Sequence, residues 1–86
     1  MKRSEILETA SNAITVDRAA THGKAETSFT NIAHLWSWWL DTDVTAHDVA
    51  IMMVLFKAAR IRGNHAHEDN YVDLAGYCAL AGEMAE

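Results

Sequence analysis

Two cations lie in the most apolar segment of this sequence. Lys57 and Arg60 are three residues apart in the segment 49–61, which otherwise contains mainly large apolar side chains and alanine. On a helix this spacing places both cations on one side. Arginine can bind a phosphate or carboxylate through two parallel hydrogen bonds, and lysine adds a point charge. The pair therefore indicates a site for a phosphate-bearing anion such as a nucleotide-like ligand.

Asp73 is the carboxylate that best fits beside these cations. It lies between Val72 and Leu74 in a second apolar segment, and a half-buried carboxylate needs a partner. Two interpretations are equally open. Asp73 either orients Lys57 and Arg60 for a ligand, or forms a structural ion pair that joins two helices.

A second polar group comes before the helix expected to begin near residue 25. It consists of Asp17, Arg18, His22 and Gly23. A glycine before a helix N-terminus would let an anionic group approach backbone amides. These residues are a second candidate ligand site.

The segment around residues 65–69 contains side chains that can bind metals. His65, His67, Glu68 and Asp69, together with Asp73, could surround a divalent ion. Their spacing matches no closed zinc motif. Glu68 and Asp69 also suit the N-terminus of a helix, where negative charge is favoured. The metal is therefore left unassigned, and no catalytic residue is predicted, because no nucleophile and base are paired.

Composition limits the class of protein. The 86 residues allow one small domain, and the formal charge of −5 disfavours nucleic-acid binding. The single cysteine, Cys78, excludes a disulfide within the chain, and its presence as a lone thiol favours a cytoplasmic location for the protein. Because Cys78 lies among alanines and leucine, it is expected to be a core thiol. The N-terminus has no apolar signal segment, and no stretch reaches the roughly 18 to 20 apolar residues of a membrane span.

Apolar residues recur at helical spacing, no run alternates with the period of a strand, and the chain has no proline. We therefore predict an all-α fold, a compact four-helix antiparallel bundle. The third helix is apolar nearly all round, so it is expected to be the central and most buried element. The predicted helices are about 4–16, 25–40, 46–61 and 68–85.

Two features predict self-association. Trp36 and Trp39 have the spacing of core residues, whereas Trp38 is rotated by roughly 200° from Trp36 and should face a partner. The last helix also has small residues on one side, which would let another helix approach closely. These small residues are Ala75, Ala79 and Gly82.

Three strings of this sequence resemble a family of small proteins of unknown function encoded by bacteriophages and prophages. They are DRAATHGKAETSFTNIAHLWSWWL, DVTAHDVAIMMVLFKAARI and HEDNYVDLAGYCALAGEMAE. The family is distantly similar to a phage domain associated with nucleotide modification and to the MazG-like nucleotide pyrophosphohydrolases. The resemblance implies a helical fold and a place in the host bacterial cytoplasm. The polar positions that match its recurring phrases are Asp17, Arg18, His22, Gly23, Lys57, Arg60, Asp69 and Asp73.

MazG-like enzymes use pairs of acids on helices to gather Mg²⁺ ions around a triphosphate. Here one acidic pair, Glu5 and Glu8, lies in the first helix and the other, Asp69 and Asp73, in the last, while the third helix is almost devoid of acids. We therefore expect binding of a nucleotide-like anion without turnover. Mg²⁺-dependent pyrophosphohydrolysis through Asp69 and Asp73 is one alternative, and an acidic interaction protein that inhibits a host factor through Trp38 is another.

Overall fold

The computed structural model describes residues 1–17 and 24–86, with the backbone alone for residues 16 and 17. These residues form four α-helices and no strand, which confirms the predicted all-α fold. A π-helical turn, Ala13–Asp17, follows the first helix. The helices are α1 (Arg3–Asn12), α2 (Ala25–Leu40), α3 (Ala46–Gly63) and α4 (Glu68–Met84).

A capping box fixes the start of α3. The backbone N–H of Asp48 donates to Oγ1 of Thr45 at 3.1 Å, and the backbone N–H of Thr45 donates to Oδ2 of Asp48 at 2.9 Å. Each side chain thus satisfies a backbone donor that the first turn leaves free. The same hydrogen bonds hold the pKa of Asp48 below its usual value of 3.8.

Three of the helices, α2, α3 and α4, pack around one shared core. α3 makes its most extensive contact with α4, α1 packs on the other side of α4, and α2 packs on α3. The links 41–45 and 64–67 are short, as in an antiparallel bundle. The outer side of α3 is therefore left without a neighbour among the described residues.

The core is built mainly from small side chains. Val49 and Ala50 on α3 are completely buried, and Phe29 of α2 stacks at 6.1 Å between ring centroids on Tyr77 of α4. Phe29 and Leu80 are the large members of the core cluster, and the rest are alanines and valines. The buried cluster consists of Ala25, Phe29, Ala33, Val44, Val49, Ala50, Leu80 and Ala81.

The prediction that the third helix is the most buried element was wrong for half of its surface. Its inner side is buried at Val49 and Ala50, but the opposite side faces solvent. α2 and α4 cover only the side of α3 that faces the shared core, so the opposite side stays exposed. We call the following residues the outer face of α3: Ile51, Met52, Leu55 and Phe56, which are 39%, 38%, 63% and 47% exposed.

The tryptophans divide differently from the prediction. Trp36 is partly buried against the core and Trp38 faces outward, as predicted, but Trp39 was wrongly assigned to the core and is exposed. α2 ends immediately after these rings, because Asp41 adopts a left-handed conformation with φ of 53°. The chain then returns so that Val44, which bonds to the Ser37 hydroxyl through its backbone, is buried beneath the helix end.

The prediction for Cys78 was also wrong. Cys78 is exposed rather than a core thiol, because it lies two residues from both Gly76 and Leu80, which face the core. A step of two residues rotates a side chain by roughly 200° around a helix. On α1, the apolar residue Leu7 is 64% exposed, whereas Ala10 is buried.

Candidate functional site

Lys57 and Asp73 form an ion pair between α3 and α4. The lysine Nζ lies 2.8 Å from Oδ2 of the aspartate, and the two side chains are 16% and 42% exposed. The predicted partnership of these residues is therefore present in the structure. The contact satisfies Asp73, and it holds the lysine close to the helix interface instead of in open solvent.

Arg60 joins Lys57 around one aromatic ring. The Phe56 ring centroid lies 5.7 Å from Nζ of Lys57 and 4.9 Å from Cζ of Arg60, within the range of cation–π contacts. Arg60 is exposed and makes no ion pair with any described residue. Arg60 is thus the cation of the pair whose charge is not neutralised by an acid of α4.

Asn70 is a buried polar residue that the sequence analysis missed. It is 6% exposed, and its side-chain amide makes no hydrogen bond within the described part of the chain. An unpaired buried amide costs about 1 to 3 kcal/mol. The sequence contained one signal of this burial. Asn70 lies seven residues before Tyr77 and eleven before Ala81, a spacing that places it on the inner stripe of α4.

The residues with metal-binding side chains diverge in the structure. Glu68 bonds the amino group of Met1 at 2.7 Å, and Asp69, whose side chain is 81% exposed, lies 3.9 Å from Nε2 of His67. Asp73 instead faces Lys57. Over residues 1–15 and 24–86, no three histidine, cysteine or acidic side chains gather as a metal site. Mg²⁺-dependent hydrolysis by Asp69 and Asp73 stays a prediction.

The second polar group of the sequence lies largely outside the described residues. Arg18, His22 and Gly23 are not described, and only the backbone of Asp17 is. Thr15 and Lys24, which border the undescribed segment in sequence, both line an open cleft of about 290 Å³. The cleft is lined by Ile14, Thr15, Lys24, Ala25, Glu26, Leu80 and Glu83.

The end of α2 exposes further large apolar side chains. Trp38 and Trp39 are each 77% exposed, and their ring centroids are 6.2 Å apart. With roughly 200 Å² of surface for each side chain, the two rings leave about 300 Å² open, as much as the largest apolar patch of many monomers. Leu35 and Leu40 are also exposed. Together with the outer face of α3, these side chains form what we call the apolar surface.

Within the described part of the chain, no other helix covers the small-residue side of α4 at its C-terminal end. Ala79 and Gly82 are exposed, and a Cβ added at Gly82 would meet nothing within 4 Å. Ala75 is half-buried. No helix of the described residues has the length and apolar character required to cross a bilayer.

The fold and its surface define a small all-α helical bundle with an apolar surface on α2 and α3 and an ion pair between α3 and α4. Residues 5–85 match the model of a family described as a domain of unknown function, DUF6378, and the chain belongs to this family. This confirms the expected class, a small phage-type protein of unknown function.

Two relatives are encoded by mycobacteriophages. The chain is 36% identical over 81 residues to the Gene 55 protein of Mycobacterium phage D29, covering 94% of this chain and 54% of that protein. It is 40% identical over 80 residues to the Gene 55 protein of Mycobacterium phage L5, covering 92% and 51%. The chain thus spans about half the length of these curated relatives. No solved structure matches it.

Proposed function

We propose that this phage-type protein is a helical interaction module, which binds a protein through the apolar surface of α2 and α3. The observation that carries the proposal is the distribution of side-chain sizes. The core contains mostly alanine and valine, while tryptophan, leucine, methionine and phenylalanine side chains remain on the surface. Folding of a single chain thus leaves several of its largest apolar side chains, including Trp38 and Trp39, exposed.

The energetic consequence is large for so small a domain. Covering the roughly 300 Å² of Trp38 and Trp39 alone would release on the order of 7 kcal/mol at about 25 cal/mol per Å², before the costs of association. Aromatic side chains of this kind commonly dominate protein interfaces. The surface can therefore supply the anchors of an interface.

The charge and the relatives support a protein as the partner. A formal charge of −5 disfavours nucleic acid, because phosphate contacts require a cationic surface. Since two relatives are phage proteins, the partner is expected to be a phage or host protein in the bacterial cytoplasm. Binding to a host factor would inhibit it by occupying its surface.

Photo-crosslinking in producing cells tests this function directly. A photoreactive phenylalanine derivative replaces Leu55 in one variant and Thr9, an exposed polar residue of α1, in the control. We expect crosslinked protein adducts from position 55 and none from position 9. Absence of any adduct at position 55, with the folded protein present, would contradict an interaction through this surface.

A second candidate function is anion binding at Lys57 and Arg60. It is favoured by the unpaired buried amide of Asn70, one turn before Asp73 on α4, and by the uncompensated charge of Arg60. The Asn70 amide would donate a hydrogen bond to the anion, and Arg60 would bind the anion from the solvent side. Asp73 would hold Lys57 in place.

Calorimetry with a nucleotide panel and inorganic phosphate tests the second candidate. Binding should weaken roughly tenfold or more in Arg60→Ala and should be unchanged in Arg3→Ala, which removes an exposed cation from α1. No heat of binding with any ligand, or equal effects of the two substitutions, would show that Lys57 and Asp73 form a structural ion pair alone.

A further inference from the structure

We infer that the partner of the outer face of α3 is a second copy of the same chain, packed antiparallel along α3 around a two-fold axis near Leu55. This inference rests on the proposed function and names its partner. It concerns a line of residues that we call the α3 seam: Asp48, Met52, Leu55, Ala59 and Arg62.

The α3 seam has the spacing of a helix-pairing surface. Its members follow one another at steps of four, three, four and three residues, the pattern that keeps one line of side chains facing a partner helix. All five are exposed in the single chain. α3 has 18 residues, so at about 1.5 Å per residue it offers a straight contact of roughly 27 Å.

Charge complementarity selects a second copy as the occupant. Asp48 is seven residues before Leu55 and Arg62 is seven residues after it, so each charge lies roughly 10 Å from the proposed axis. An antiparallel copy places Arg62 of each chain beside Asp48 of the other. The Asp48 carboxylate accepts from Thr45 through Oδ2 and retains acceptor sites for an arginine.

Side-chain size is complementary in the same arrangement. Met52 is three residues before Leu55, and Ala58 and Ala59 are three and four residues after it. In an antiparallel pair each methionine therefore meets the alanines of the other chain, and the two Leu55 side chains meet at the axis. A parallel pair would instead oppose Met52 to Met52, Asp48 to Asp48 and Arg62 to Arg62. Like charges at both ends disfavour that orientation.

Sedimentation equilibrium of the purified chain tests the dimer. Leu55→Asp would place two uncompensated carboxylates at the axis, so the dimer dissociation constant should rise roughly a hundredfold or more. The matched control is Leu7→Asp, because Leu7 on α1 has the same type and nearly the same exposure, 64% against 63%. We expect the wild type and Leu7→Asp to be dimers and Leu55→Asp to be a monomer, each helical by circular dichroism.

Cysteine crosslinking tests the orientation. In a Cys78→Ser background, Met52→Cys and Ala59→Cys chains are oxidised alone and as a mixture. The antiparallel pair predicts a disulfide-linked dimer in the mixture and little in either variant alone, because identical positions lie beyond the roughly 7 Å that a disulfide spans between Cα atoms. Efficient crosslinking of each variant with itself would overturn the antiparallel arrangement.

The two proposals fail in different ways. A wild-type chain that is monomeric from micromolar to millimolar concentration overturns the second-copy inference, as does equal loss of the dimer in Leu7→Asp and Leu55→Asp. In those cases a photo-crosslink from position 55 to a different protein would still support the interaction module. Absence of both the dimer and any crosslink would overturn both.

Discussion

The inner and outer sides of α3 are both apolar, but they differ in the size and the burial of their side chains. The inner side is covered by α2 and α4 and presents small side chains, with Val49 and Ala50 fully buried. The outer side presents Met52, Leu55 and Phe56 to solvent. One helix therefore contains two apolar surfaces, of which the fold of a single chain covers one.

The difference indicates that α3 is apolar all round for two separate reasons. Close packing of three helices around one core needs small residues between them, because each helix must approach its neighbours. Large apolar side chains on the free side contribute nothing to that packing. We interpret them as the contact surface for association, and the predictions below test the division between the two sides.

The largest expected effect is on the inner side. Val49→Asp would bury an unpaired carboxylate at a fully buried position and should abolish folding, since its cost is comparable to the whole stability of a small domain. Leu55→Asp on the outer side should retain the helical circular dichroism spectrum and a cooperative thermal transition. Comparable loss of helix in both variants would mean that the outer side also supports the fold.

Asn70 is buried on α4, and removal of its amide should be favourable. Asn70→Leu replaces the unpaired amide with an apolar group of similar shape, so the free energy of unfolding should rise by about 1 to 3 kcal/mol. Urea denaturation measures this change. A loss of stability would show that the amide has a partner in solution.

Two glycines of α4 should respond differently to replacement by alanine. A Cβ at Gly76 would lie 3.0 Å from Cγ2 of Ile14, whereas one at Gly82 would meet nothing within 4 Å. Gly82→Ala should raise the free energy of unfolding by up to about 1 kcal/mol through helix propensity. Gly76→Ala should lose that gain to the clash, and in an Ile14→Ala background, which lacks Cγ2, the same substitution should recover part of it. Equal gains in both variants would indicate that α1 packs loosely on α4.

The smallest effect concerns the start of α3. Thr45→Ala removes one half of the capping box and should lower the free energy of unfolding by about 1 kcal/mol.

Because hydrogen bonds lower the pKa of folded Asp48, its stabilising contribution is present above the usual value of 3.8 and is lost as the pH falls through the lowered pKa. Stability of the wild type and Asp48→Asn should therefore converge in acid, which thermal unfolding across pH measures.

The helices could be predicted from the sequence because their signals are local. Apolar spacing, the Thr45 and Asp48 pair and Gly63 at the end of α3 all lie within a few residues of the structure they specify. The burial of each side could not be predicted, because it depends on which helices become neighbours. An apolar residue such as Leu55 has the same local pattern whether it faces a core or a partner.

Part of the candidate site could likewise be predicted from local patterns in the sequence. Opposite charges in two apolar segments were enough to indicate the contact between Lys57 and Asp73. The buried amide of Asn70 was missed, because asparagine near a helix start resembles an ordinary polar residue until the inner stripe of α4 is known. The exposed Trp39 was missed because α2 ends beside it.

Hydroxyl-radical footprinting of the purified wild-type chain tests the central claim most directly, since Leu55 and Leu7 are 63% and 64% exposed in the single chain and serve as a matched pair. If the outer face of α3 is the interface between two copies of the chain, Leu7 should be oxidised readily and Leu55 should be protected, with protection lost on dilution. Equal oxidation of the two leucines at every protein concentration would contradict the pairing of two copies through α3.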